Sequence, residues 1–173
     1  MDCTIKTLLT REQIESRIKE LAKEIQKDYE GKDLYVLGLL KGSVVFMTDL
    51  IKEIELPLVI DFMSVSSYSG HTTSGVVKIL KDVDINMEGK DVLIVEDIID
   101  TGLTLNHVTK LLKERGIKSL KICSLLDKPS RRLVDMKGDY IGFEIPDKFV
   151  IGYGLDNDQY CRNLPYIGVV ENN

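Results

Sequence analysis

The stretch Val92–Thr104, VLIVEDIIDTGLT, constrains this chain more than any other segment. Four apolar, largely β-branched residues, Val92 to Val95, make a run too short for a helix and are read as a buried strand. Two adjacent carboxylates, Glu96 and Asp97, follow at its carboxyl end. Asp100 comes after two isoleucines, and Thr101-Gly102-Leu103-Thr104 then opens a helical pattern. In open α/β sheets, ligands bind outside the carboxyl ends of the strands. A small-residue turn feeding a helix presents free backbone N–H groups and the positive end of a dipole, which suits a phosphate. Carboxylates beside such a cradle are unfavourable unless something cationic or hydroxyl-rich stands between them. A sugar diol together with Mg²⁺ meets both demands, because hard cations take oxygen ligands and bridge carboxylates to phosphates. The segment is therefore read as a site for a phosphorylated sugar.

Other readings of the same residues fail on context. Asp-Thr-Gly also occurs in aspartic proteases, but those need a mostly β chain and paired aspartates, whereas this segment runs into a helix. No Gly-Lys-Ser/Thr follows to make a Walker A loop, and no G-x-G-x-x-G signals a dinucleotide site.

The rest of the chain alternates strands with helices. Thr10 with Gln13 three residues later is a capping-box signal. Ile14, Ile18, Leu21, Ile25 and Tyr29 recur at spacings of three and four, predicting a one-faced helix that stops at Gly31. Leu34–Leu40 reads as a strand, and Ser43 is expected to cap a helix with Met47, Leu50, Ile51 and Ile54 inward. Leu58–Met63 is a further strand, Ser64–Gly75 a polar loop, and Val76–Leu80 a strand leaving it. After the central strand, Leu105, Val108, Leu111 and Leu112 mark a helix ending at Gly116. Leu120–Leu126 follows as a strand, and short strands broken by Gly and Pro complete the chain. This order implies an α/β fold with a mostly parallel, helix-covered sheet, and the strand-rich tail suggests a small cap beside it.

At 173 residues the chain is expected to form a single domain spanning 1–173. A net charge of −5 argues against a nucleic-acid footprint, so an anionic substrate would depend on local cations. Cys3, Cys123 and Cys161 are odd in number and lack metal-ligand spacing. No secretory signal, lipidation motif or long apolar run is visible, which predicts a cytoplasmic chain with reduced thiols and no membrane association.

The Val92–Thr104 segment resembles the phosphoribosyl-pyrophosphate (PRPP) signature of the type I phosphoribosyltransferases. The likeness extends from about Tyr35 to Val170. It includes Leu40-Lys41-Gly42-Ser43, then Ser67-Tyr68 in a polar loop, then the stretch Lys128 to Arg162 containing GFEIPDKFVIGYGLD. That last stretch is the most specific, being similar to members that act on 6-oxopurines rather than on adenine or pyrimidines. The resemblance implies a type I phosphoribosyltransferase fold, a twisted sheet flanked by helices with a small hood formed from the chain ends. It implies transfer of phosphoribose from PRPP to hypoxanthine or guanine, giving IMP or GMP and pyrophosphate. Mg²⁺ is the implied cofactor, and a homodimer or homotetramer the implied assembly.

Residue by residue, the resemblance assigns Glu96 and Asp97 to the ribose diol and its Mg²⁺. Asp100 becomes the general acid/base that handles the proton on purine N7, and burial beside the base is expected to tune it. Asp100, Thr101, Gly102, Leu103 and Thr104 would hold the 5′-phosphate; Leu103 stands where some relatives carry Lys, which a backbone-dominated cradle tolerates. Lys41 and Gly42 would receive pyrophosphate, with a cis peptide bond before the lysine, and Arg162 would bind it through its fork of donors. Ser67 and Tyr68 would belong to a lid that excludes water from the ribosyl centre. Lys128 would donate to O6 of the base, which disfavours the 6-amino group of adenine. Phe149, by default a core residue in its apolar stretch, would stack on the base, Val150 would offer backbone groups to its edge, and Asp156 would contact the purine or a second Mg²⁺.

Two rival readings are weighed. A nucleotide-responsive RNA or DNA regulator of the same fold should show a basic face, which the net acidity opposes. An adenine or pyrimidine phosphoribosyltransferase is opposed by Lys128 and the GFEIPDKFVIGY stretch.

Overall fold

The computed structural model describes residues 4–67 and 77–171. Its core is a six-stranded sheet built from β2 (Leu34–Leu40), β3 (Leu58–Ser67), β4 (Val77–Lys81), β5 (Asp91–Ile99), β6 (Ser119–Asp127) and β7 (Tyr140–Glu144), ordered β4-β3-β2-β5-β6-β7. Every neighbouring pair is parallel except β3 with β4. A second sheet, β1-β9-β8, joins Thr4–Leu9 and Ile167–Glu171 from the two chain ends to Val150–Ile151. This is the expected hood.

Parallel strands covered on both faces are apolar throughout rather than alternating, and β2 and β5 follow that rule. Leu93 and Val95 face a cluster with Ile14, Ile18 and Leu21 of α1 (Arg11–Tyr29) and Phe46 and Leu50 of α2 (Val44–Lys52). Val92 and Ile94 face the opposite cluster with Leu105, Val108 and Leu112 of α3 (Leu103–Glu114). Thr10 closes the predicted capping box on α1, accepting from the Gln13 backbone at 3.3 Å while Gln13 Oε1 accepts from the Thr10 backbone at 2.8 Å.

Four local expectations are corrected. Ser43 does not cap α2 through its side chain; its hydroxyl donates to the Leu39 carbonyl at 2.6 Å and so ties the turn back to β2. β3 runs on to Ser67, because antiparallel β4 pairs with residues 64–67 and converts the start of the polar loop into strand. β5 continues beyond Val95 to Ile99 because β6 still pairs with it, Ile99 opposite Asp127, after β2 has turned away at Gly38–Val95. The N-terminal strand β1 has no counterpart in the expected elements; its partner β9 lies at the other end of the chain. Tyr68 and most of the expected lid lie outside the described residues, and Ser67 closes β3.

Candidate active site

The early departure of β2 builds the site. Past Val95, β5 keeps only its β6 neighbour, so Glu96 and Asp97 open onto the space where the Leu40–Gly42 turn leaves the sheet. The Leu40–Lys41 peptide bond is cis, as the resemblance implied. Gly42 packs against the Asp97 carboxylate on one side, and on the other its carbonyl lies where a β-carbon on Gly154 would stand only 2.1 Å away. Three segments remote in sequence therefore converge on Gly42.

Burial dominates the electrostatics of the acidic pair. Glu96 Oε2 is buried without a hydrogen-bond partner. Loss of solvent, and then repulsion from Asp97, push the Glu96 carboxyl well above the ordinary range. Asp97 is pushed up to about 6 by burial, against the pull of the Ile98 N–H, which donates to Oδ1 at 2.8 Å, and of the Arg162 charge. Two carboxylates with an orphaned oxygen fit a hard divalent cation, whose charge would offset both their desolvation and their repulsion. Among the described residues no three acid, His or Cys side chains converge to hold a metal by themselves. Asp156, whose charge also acts on Asp97, has Oδ1 ion-paired to Arg162 Nη2 at 2.9 Å, so ligand oxygens would complete the cation's shell.

The phosphate turn follows β5. Leu103 N–H donates to Thr101 Oγ1 at 3.4 Å, and no side chain caps α3, which leaves N–H groups of its first turn for an anion. Leu103 is half exposed and contributes through its backbone. Arg132 fastens this turn to β6, donating to the Asp100 carbonyl at 2.6 Å and pairing with Asp127.

Asp100 departs from expectation. Its side chain is 42% exposed overall while Oδ1 itself is buried, and Arg131 Nε lies 3.0 Å from that oxygen. That contact is off hydrogen-bond geometry, so Oδ1 itself remains an unsatisfied acceptor. Arg131 also reaches Asp147 at 3.3 Å. Lys128 is 6% exposed, and its backbone N–H donates to the Ile99 carbonyl at 2.9 Å, which sets it beside Asp100. Phe149, expected in the core by default, is 55% exposed, while Val150 is buried in β8. The Arg131–Asp147 contact draws the loop before Phe149 toward Asp100.

Arg131 and Arg132 lie in a basic run after β6, Lys128-Pro129-Ser130-Arg131-Arg132, which sequence reading passed over beyond its lysine. Gln159 was missed as well. Its Oε1 accepts from Lys41 Nζ at 3.1 Å and from Arg162 Nη2 at 3.3 Å, and nothing in its local sequence signals this. A cavity of about 470 Å³ beneath the tail shares only Arg162 with these residues. Of its other charges, Lys52 is paired with Asp49 and Arg11 with Glu15.

Comparison with known proteins agrees with this geometry. Residues 4–158 match the phosphoribosyl transferase domain family. The chain is 52% identical over 167 residues to a hypoxanthine-guanine phosphoribosyltransferase of Bacillus subtilis, covering 96% of this chain and 93% of the relative. It is 54% identical over 165 residues to a Staphylococcus aureus protein of the same name, covering 95% and 92%. A crystal structure of a hypoxanthine phosphoribosyltransferase from Staphylococcus aureus superposes with a TM-score of 0.93 at 53% identity, covering 96% of this chain and 91% of that one. With the fold, the carboxylate pair and the phosphate turn all in place, the chain belongs to the phosphoribosyltransferase family.

Proposed function

We propose that this chain transfers the 5-phosphoribosyl group of PRPP to a 6-oxopurine, hypoxanthine or guanine, forming IMP or GMP and releasing pyrophosphate. The observation that carries this reading is the convergence of Lys41–Gly42, Glu96–Asp97, Asp100–Thr104 and Lys128 around the carboxyl ends of β2, β5 and β6. In it, the α3 turn takes the 5′-phosphate, and Glu96 and Asp97 orient the ribose diol. Lys41 and Arg162 take pyrophosphate. Glu96 and Asp97 would hold Mg²⁺, which when bound would supply positive charge for the leaving pyrophosphate.

Asp100 Oδ1 is the acceptor for the proton of purine N7 while N9 bonds to the ribose carbon and the carbon–pyrophosphate bond breaks. Arg131 holds the Asp100 carboxylate in the meantime and has Asp147 as a second partner when the base arrives. Lys128 donates to O6, a role that favours 6-oxo bases over adenine. Phe149 offers an exposed ring to the base, with Val150 beside it. Asp156 lies at the purine or a second Mg²⁺, and Ser67 with Tyr68 belongs to the lid. We place the enzyme in cytoplasmic purine salvage as a homodimer or homotetramer. No helix among the described residues is long and apolar enough to cross a membrane.

The test is PRPP- and Mg²⁺-dependent conversion of hypoxanthine, guanine, xanthine and adenine, followed in parallel. Turnover of 6-oxopurines with adenine inert is the expected result. Absence of turnover with every base would overturn the assignment.

A further inference from the structure

Gln159 breaks a local rule. Asn157 and Tyr160 exchange both backbone hydrogen bonds at 3.0 Å, so Asp158 and Gln159 form a two-residue turn, with φ of 51° and 70°. Two positive φ angles define a type I′ turn, for which Asn-Gly and Asp-Gly are preferred because the second position favours a residue without a β-carbon. Asp158 fits that preference and Gln159 does not. A residue held against its local preference points to a role elsewhere.

The side chain supplies that role. Lys41 Nζ and Arg162 Nη2 both donate to Oε1 of Gln159, at 3.1 and 3.3 Å. Both partners are pure donors, which fixes the oxygen rather than the nitrogen of the carboxamide toward them. The Gln159 backbone N–H donates to Asp156 Oδ2 at 2.8 Å, and Arg162 Nη1 donates to the Gly154 carbonyl at 2.7 Å. One neutral acceptor thus gathers a cation from the turn after β2 and a cation from the tail. Arg162 is already held by Asp156 and the Gly154 carbonyl, whereas the Lys41 ammonium has Gln159 as its hydrogen-bond partner among the described residues. Without it the flexible lysine would swing away from the like charge of Arg162, and ordering it would count against ligand binding.

We propose that Gln159 is a positioning residue that presets Lys41 and Arg162 for the diphosphate end of PRPP. The inference rests on the reading that these two cations receive pyrophosphate.

The experiment compares Gln159→Gly, Gln159→Glu and Lys41→Met with the unaltered enzyme. It reads Tm, kcat, and KM for PRPP, pyrophosphate (in the reverse reaction) and hypoxanthine. Gln159→Gly removes the acceptor while supplying the residue that the turn prefers. It should leave Tm equal or higher and raise KM for PRPP and pyrophosphate about five- to tenfold, with KM for hypoxanthine unchanged. Gln159→Glu restores an acceptor to both cations and should recover most of that loss. Lys41→Met should raise the same two constants.

If Lys41→Met raises them and Gln159→Gly does not, the positioning role falls while the pyrophosphate reading stands. If neither variant moves them, both fall together. A lower Tm with all three KM values shifted alike, or no recovery in Gln159→Glu, would make Gln159 a structural residue and overturn the proposal.

Discussion

A β-carbon placed on Gly42 would stand 1.6 Å from Oδ2 of Asp97. The backbone of the Leu40–Gly42 turn therefore lies directly on a carboxylate that the proposed reaction needs, with room for hydrogen alone. Gly42→Ala must displace either the turn or Asp97. Displacements of about 1 Å at a reacting centre cost on the order of 100-fold in rate, so kcat/KM for PRPP should fall by about that factor. Steady-state kinetics with PRPP varied checks this, and full activity would place PRPP elsewhere.

Asp100→Asn keeps the shape of the phosphate turn but removes the acceptor at Oδ1. We expect kcat to fall about 10²- to 10⁴-fold with PRPP binding mostly retained, measured by calorimetry beside single-turnover rates. Equal loss of both would mean that Asp100 holds the turn together rather than handling a proton.

The buried acid pair makes the cation-free protein sensitive to pH in a definite direction. Asp97 has its folded pKa raised from 3.8 to about 6, and Glu96 is raised too. Each therefore holds a proton in the fold that the unfolded chain has released. The stability this contributes is fully present below the unfolded values and is lost as pH rises through the folded ones. Thermal melts without divalent cation should show Tm declining between pH 3.8 and about 6 more steeply than in Asp97→Asn. Mg²⁺-dependent PRPP binding, which needs ionised Asp97, should strengthen across the same interval.

Phe149 is exposed, so its loss should cost the fold little. Phe149→Ala is expected to change stability by less than about 0.5 kcal/mol. Loss of ring stacking should raise KM for hypoxanthine about tenfold, as stacking on a base is worth about 1–3 kcal/mol. A large drop in Tm with KM unchanged would return Phe149 to an ordinary packing role.

Much of the architecture was legible locally because it is encoded locally. The 3.6-residue periodicity of α1, the capping box at Thr10 and the apolar run of β5 are properties of contiguous residues, and each is present in the fold, β5 running on past the expected Val95. The PRPP segment was legible for the same reason, since strand, acids and turn follow one another without interruption. What escaped depends on partners far along the chain. β1 is strand because β9 lies beside it, and Glu96 and Asp97 sit within β5 because β6 outlasts β2. Arg131 meets Asp100, and Gln159 meets Lys41, only after loops distant in sequence have folded together. Phe149 was assigned to the base through the resemblance alone, since apolar neighbours make a Phe core by default; the turn of the chain at β8 buries Val150 and leaves the preceding ring outward.

The pairing of β1 with β9 also fixes an order of events during synthesis. The sheet that carries Glu96, Asp97 and Asp100 has all six of its strands once Glu144 has emerged, so a nascent chain of that length already holds every residue assigned to the phosphoribosyl group. The wall bearing Val150 must wait for Ile167–Glu171, which closes it against Thr4–Leu9. During that interval β1 has no partner, and at its start only Asp100 and Lys128 stand ready for the purine. A ribosome-bound intermediate should accordingly hold a ribose 5-phosphate before it can grip the diphosphate of PRPP or close on a base.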